Sequence, residues 1–400
     1  MATCQDDLPI LLSGMLSPLS PTEMKSSPLL SLTCVLVSVL VTRRQPHMDN
    51  GPSPSHDVNP HDNIPLFTPS TLKRRGIASW NHFVPYTMVV PPVIHSDKAW
   101  VTLITNESYL PGLLTLNHSL RTVKSAYPLV ALYTPSLPSS CLAAFSRRGI
   151  PSIPVPYIAP RSGKKYLEDA RFNDCWTKLV AFSLTQFSRI VQLDSDMLVL
   201  KNMDELMDLA LDPVSLSESG SETSKRVFAC GHACVCNPLK KPHYPSTWVP
   251  ANCAFTHQHG NPDLAQVEGA DPAQSLGDLN SGLLVINPSR VLFEQIIEHM
   301  DAHGETYAFP DQDLLADLYR GRWVPLPYVY NALKTMRNAD VHGAIWRDTE
   351  VKNVHYILSP KPWAELDEQG QWKGESEIHG WWAEANRRRL EKEKEEGILD

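Results

Sequence analysis

Apolar and polar residues alternate in blocks along residues 96–365, and the blocks read as strands and helices taken in turn. Residues 99–105 (A-W-V-T-L-I-T) form an apolar run of strand length. A helix follows, with Leu113, Leu116 and Leu120 at helical spacing. Residues 127–134 predict a second strand, 139–148 a second helix, and 153–155 a short third strand. A helix over 172–187 then leads directly into the run 189–200, R-I-V-Q-L-D-S-D-M-L-V-L, which predicts one buried strand. Further on, 279–286 predicts a strand, 288–303 a helix, and 309–313 opens another. Strand and helix in alternation predict an α/β fold with a Rossmann-like, mostly parallel sheet flanked by helices.

The run 189–200 organises the rest. Asp194 and Asp196 interrupt it one residue apart. Carboxylates set in an apolar strand are costly unless a cation neutralises them. At the carboxyl end of such a strand, where α/β sheets hold their ligands, a hard divalent ion fits that need. An ion held by one or two carboxylates completes its shell with substrate phosphates, so D-x-D points to a metal-bound diphosphate. The simpler alternative is that both aspartates only form a turn.

Composition narrows the field. The 400 residues carry a net charge of −8, which argues against nucleic acid as a partner. Eight cysteines in a chain of this length are not the framework of a small disulfide-rich domain. Residues 1–95 are rich in Ser and Pro and predict a disordered leader. Its apolar run at 29–41 is short for a bilayer span, which takes about 20 residues. Arg43 and Arg44 behind that run would leave the bulk of the chain in the cytosol even if it spanned. The expectation is a cytoplasmic protein without a membrane anchor. Asn106 and Asn117 lie in N-x-S sequons, but one is at a strand end and the other on a helix, so neither is read as glycosylated.

Six motifs in order carry a resemblance. They are T-N-E-S-Y after the first strand, W-T-K-L at 176–179, F-S-R-I-V-Q-L-D-S-D, N-S-G at 280–282, D-Q-D at 311–313 and H-Y-x4-K-P-W from His355. Together they resemble glycosyltransferase family 8, which includes glycogenins and galactinol synthases, and they span most of the chain after the leader. The resemblance implies a GT-A fold over 96–386, a UDP-sugar donor, Mn2+ as cofactor, and transfer with retention of anomeric configuration. By matching motif, Asp194, Asp196 and His355 would ligate Mn2+. Leu103, Thr105, Asn106 and Tyr109 would line the uracil and ribose pocket, with Lys178 at the ribose–phosphate region and Ser195 beside the donor. Asn280 and Ser281 would meet the sugar, Asp311 and Gln312 the reacting centre, and Lys361 the diphosphate.

Residue chemistry agrees with these implied roles. Charge develops on the departing diphosphate, where a divalent ion and an ammonium stabilise it most directly. An imidazole beside two carboxylates suits Mn2+ better than Mg2+. Asp311 is the best candidate for a carboxylate nucleophile, with front-face attack equally open. One departure stands out. The family usually has a glycine between the His and K-P-W, and 355–363 (H-Y-I-L-S-P-K-P-W) has none. That puts backbone contact with the diphosphate in question, with the Ser359 hydroxyl as a substitute.

Two segments lie outside the motifs. An insert at about 227–260 holds Cys230, Cys234, Cys236 and Cys253 among His232, His257 and His259. C-x3-C-x-C is not a standard zinc spacing, so the preferred reading is a family-specific loop with buried free thiols. This insert, D-Q-D after F-P, and the H-Y-x4-K-P-W form resemble the galactinol synthase side more than glycogenin. At the other end, Trp381 and Trp382 predict packing on the body, and 387–400 a charged tail with a solvated helix at 387–396.

The function this implies is hexose transfer from UDP-galactose or UDP-glucose to a small polyol or glycan, with a homodimer among the assemblies it allows. The alternatives are glycogenin-like self-glucosylation and a catalytically silent module that binds nucleotide sugar or zinc.

Overall fold

The computed structural model describes residues 94–167 and 169–398. The disordered-leader expectation for 1–93, with its apolar run at 29–41, lies outside the described residues. Among the described residues there are ten strands: β1 (Lys98–Ile104), β2 (Leu129–Tyr133), β3 (Ser152–Pro154), β4 (Arg189–Leu193), β5 (Met197–Val199), β6 (Phe228–His232), β7 (Leu279–Ile286), β8 (Trp323–Pro325), β9 (Ala332–Leu333) and β10 (Asn353–His355). Seven form one sheet in the order β3-β2-β1-β4-β7-β6-β8. The pairs from β3 to β4 are parallel, β7 runs antiparallel to β4 and β6, and β8 is again parallel to β6. The predicted α/β, mostly parallel sheet flanked by helices is therefore present. Its inner strands are largely buried on both faces, β4 throughout, which is why they read as continuous apolar runs.

The run 189–200 differs from expectation. It is two strands, not one, and they belong to different sheets. β4 lies at the centre of the large sheet, whereas β5 joins β10 and β9 in a separate three-stranded sheet. The D-S-D segment is the hinge between them. Asp194 N donates to Gly282 O on β7 at 2.8 Å, and Tyr356 N, just past β10, donates to Asp196 O at 2.9 Å. A run that is apolar on both sides of the aspartates does not reveal that its strand changes sheets, because both halves are buried.

The helix expected over 172–187 is also modified. One α-turn at Phe172–Cys175 gives way to a 3-10 stretch, Trp176–Ser183, in which Trp176 to Phe182 are all buried. A segment buried on every side has no solvent face for a 3.6-residue period to match. The helix at Arg290–His303 starts where Ser289 Oγ accepts from Leu292 N at 3.1 Å.

The tail is not a solvated appendage. A 19-residue helix runs from Glu377 to Glu395, and Ile378, Trp382, Asn386, Arg389 and Glu393 form its buried stripe. Trp382 packs on Trp363 with ring centroids 5.5 Å apart. Asn386 Oδ1 accepts from Thr115 Oγ1 at 3.1 Å, on the helix Leu110–Thr122. Glu393 takes a two-pronged contact from Arg148, at 2.8 Å on each carboxylate oxygen. The charges at Arg387, Arg388 and Glu391 do face solvent, as expected. Those at Arg389 and Glu393 do not: Arg389 Nη1 donates to Glu393 Oε2 at 2.7 Å, and Glu393 also takes Arg148 from a distant part of the chain. Among the described residues, no helix is long and apolar enough to cross a membrane.

Candidate active site

The D-S-D hinge opens at the carboxyl end of β4 into a cleft of about 390 Å³. That position and size are those of a ligand site in an α/β sheet. Fourteen residues singled out in the sequence line this one cleft: Leu103, Thr105, Asn106, Tyr109, Lys178, Asp194, Ser195, Asp196, Asn280, Ser281, Asp311, Gln312, His355 and Lys361.

Asp194, Asp196 and His355 converge. β5 pairs antiparallel with β10 and sets Met197 opposite His355, bringing the imidazole to the hinge. His355 Nε2 lies 3.6 Å from Asp194 Oδ2 and 3.3 Å from Asp196 Oδ1, and one ligand atom from each residue lies within 4.8 Å of the others. Ligands about 2.1 Å from a shared divalent ion stand roughly 3–4 Å apart, so the set fits one. The other ring nitrogen agrees: Asn331 Oδ1 accepts from His355 Nδ1 at 3.0 Å, so the Nε2 lone pair faces the carboxylates. Asn331 Nδ2 in turn donates to Asn280 Oδ1 at 2.8 Å. Gly282 makes the space, since a Cβ there would sit 2.3 Å from His355 Cε1. The glycine of N-S-G thus seats the histidine.

Charge in the cleft is divided unevenly. Burial pushes Asp194 up, opposed by Lys178 and His355, and it stays above the usual carboxylate range. Burial also works against Asp196, but Lys361 and His355 outweigh it and hold that carboxyl well below the range. Lys178 Nζ sits 3.3 Å from Asp194 Oδ1, 2.8 Å from Asp311 Oδ2 and 3.2 Å from Ser281 Oγ. Burial opposes its charge, but the two carboxylates raise its affinity for a proton well above that of a free lysine. Lys361 is ion-paired with Asp196 and donates to Tyr356 O at 2.7 Å. Both ammoniums therefore already face the proposed metal ligands.

The remaining residues take these places. Thr105 Oγ1 donates to Asp174 Oδ2 at 2.7 Å. Asn106 Oδ1 accepts from Ser108 N at 2.9 Å and caps the short turn that carries Tyr109. Tyr109 packs edge-on against Trp363, and burial with the nearby Asp196 charge pushes its hydroxyl up to about 12. Asp311 and Gln312 open the helix Pro310–Leu318, and Gln312 Oε1 accepts from Asn280 Nδ2 at 3.3 Å. The missing glycine has a counterpart in the backbone: Leu358 adopts φ 63°, a left-handed conformation that glycine favours.

Sequence reasoning missed three groups. Asn331 orients His355 but belongs to no motif. Arg171, held by Asp169 with Nε to Oδ1 at 2.8 Å, stands beside the Tyr109 hydroxyl in the same cleft. The insert forms the facing wall through Asn237, Tyr244 and Trp248. Trp248 stacks on Phe309 at 4.7 Å and donates to Asp278 Oδ2 at 2.9 Å. Arg171 could have been noticed as the cation one turn ahead of W-T-K-L.

An uncharacterised protein of Acanthamoeba polyphaga mimivirus is 26% identical, over 68% of this chain and 84% of its own. Galactinol synthase 1 of Arabidopsis thaliana is 26% identical, over 73% of this chain and 80% of its own. Among solved structures, the galactosyltransferase LgtC in complex with donor and acceptor sugar analogs aligns over 72% of this chain and 95% of its own, with 14% identity and a TM-score of 0.46. The sequence pattern described as glycosyl transferase family 8 matches residues 100–367, and the chain belongs to that family.

Proposed function

We propose that this glycosyltransferase moves a hexose from UDP-galactose or UDP-glucose to a small polyol or glycan, with retention of configuration and with Mn2+ at Asp194, Asp196 and His355. The observation that carries the reading is the convergence of two carboxylates and one oriented imidazole beside Lys178 and Lys361. A divalent ion bound there would supply the positive charge that stabilises the departing UDP diphosphate.

The chain's own residues do the rest. Leu103, Thr105, Asn106 and Tyr109 form the end of the cleft for the nucleoside, and Asn280, Ser281 and Gln312 offer hydrogen bonds to sugar hydroxyls. Lys361 leaves Asp196 for a diphosphate oxygen when donor enters, since the phosphate offers it a stronger charge-assisted partner. Lys178, with Nζ 2.8 Å from Asp311 Oδ2, fixes that side chain so that its carboxylate faces the anomeric centre either as nucleophile or as stabiliser of positive charge there. A cytosolic setting accords with this reading, because the six described cysteines are not joined in disulfides.

The test is UDP release from UDP-galactose and UDP-glucose with Mn2+, comparing wild type with Asp196→Ala. Turnover should fall by a factor of about 100 or more. Equal rates in the two proteins would remove the metal site and with it the reading.

A further inference from the structure

A second group of ligating side chains lies apart from the Asp194–Asp196–His355 set. Cys234, Cys236 and Cys253 of the insert meet His342, which comes from the turn ahead of β10. Their sulfurs lie 3.3, 3.4 and 3.5 Å from His342 Nε2. All four ligand atoms lie within 4.8 Å of one another. Around a tetrahedral zinc ion, with Zn–S about 2.3 Å and Zn–N about 2.0 Å, sulfur and nitrogen stand roughly 3.6 Å apart. The observed spacing is close to that of a zinc site.

The surroundings favour a metal over buried free thiols. His342 Nδ1 is 3.0 Å from His259 Nε2. With His342 Nδ1 as the donor in that contact, the Nε2 lone pair faces the sulfurs, as for a zinc-bound imidazole supported from behind. Thr256 Oγ1 approaches Cys236 Sγ at 3.8 Å, and Phe255 shields the His342 ring edge-on. Cys253 and His342 are fully buried. Cys230 takes no part, and the His232 ring is committed to the carbonyls of Ala270 at 2.8 Å and Asp278 at 3.3 Å.

We propose that Cys234, Cys236, Cys253 and His342 hold a structural zinc ion, with His259 as its positioning residue. Binding Zn2+ releases the three thiol protons and leaves no coordination position open, so the site is closed and not catalytic. Three thiolates select zinc over manganese, so two different metals sort to the two sites. The competing reading is a loop of buried free thiols, and His342, a fourth ligand from far along the chain, is what favours the metal over it. The ion would tie the insert to the 338–346 turn and so brace the cleft wall that carries Asn237, Tyr244 and Trp248.

The test uses the full chain, purified under reducing conditions without added metal. Elemental analysis after dialysis against metal-free buffer should find about one zinc per chain. Exchange with Co2+ should give an intense sulfur-to-cobalt charge-transfer band, which the sulfur-free Asp194–Asp196–His355 set cannot produce. Cys253→Ser should lose the zinc, and His259→Ala should weaken it 10- to 100-fold in chelator competition. If the variants fail to fold, the cobalt spectrum of the wild-type chain still decides. A folded, zinc-free chain with no such band, or a disulfide among the three cysteines, would overturn the site while leaving the transferase reading untouched.

Discussion

Asn331 Oδ1 lies 3.0 Å from His355 Nδ1, and this single hydrogen bond decides which ring nitrogen faces the two aspartates. Neutral imidazole carries one proton, so a proton donated to Asn331 leaves Nε2 as the free lone pair. Asn331→Ala removes the acceptor and frees the ring to rotate or change tautomer. The expected outcome is a 10- to 100-fold rise in the Mn2+ concentration needed for half-maximal UDP release, with little change in melting temperature. Unchanged Mn2+ dependence would mean that packing alone holds the ring.

Gly282 acts on the same ring sterically. A Cβ at this position would stand 2.3 Å from His355 Cε1 and 2.7 Å from Nδ1, both far inside contact distance. In Gly282→Ala the imidazole must move away from Asp194 and Asp196, because β7 is fixed on both edges by β4 and β6. Mn2+ affinity should fall at least about tenfold in calorimetry, by the same logic of ligand positioning. Tight binding in this variant would show that the ring has room that the structure does not give it.

These two residues also show where sequence reading works and where it stops. Asp194, Asp196, Asn280, Ser281, Asp311 and His355 were legible because each sits in a short local pattern at the end of a strand or the start of a helix. Asn331 was not, since its role arises only when β9 and β10 pair and bring it beside the histidine. The same reason hid His342, whose thiol partners lie on a different segment, and the buried Glu393, whose partner Arg148 belongs to another helix. The hinge within 189–200 escaped because both strands it joins are equally apolar. What is local in cause can be read from the chain; what depends on two distant segments meeting cannot.

Leu358 offers a test on the backbone. It holds φ 63° in the segment where the family usually has a glycine. A non-glycine residue in that conformation costs about 1–2 kcal/mol. Leu358→Gly removes the strain but adds chain entropy to the unfolded state and strips a half-buried side chain from the cleft. The terms nearly cancel, so stability should change by less than about 1 kcal/mol. Leu358→Val, β-branched and stiff, should instead be clearly destabilised, by about 1–2 kcal/mol or more in urea unfolding. If the glycine variant loses more than the valine variant, side-chain packing and not backbone conformation governs this position.

Asp313 gives the pH dependence. Burial, with the nearby Asp278 and Asp311 carboxylates, pushes its carboxyl up to about 7 from an ordinary value of 3.8, although Phe309 N donates to it at 2.8 Å. The folded chain thus binds this proton more tightly than the unfolded chain. By linkage, the stabilising contribution of the neutral carboxyl is complete below about pH 4 and is lost as pH rises through 7. Each unit of such a shift corresponds to about 1.4 kcal/mol, so the effect is large enough to measure. Asp313→Asn keeps the group neutral at every pH and retains an oxygen to accept from Phe309 N. Thermal unfolding at pH 5 and pH 8 should therefore show the variant gaining on wild type as pH rises, with the larger advantage at pH 8. A difference that stays constant, or shrinks toward pH 8, would mean that Asp313 is already ionised at pH 5 and that burial does not control it.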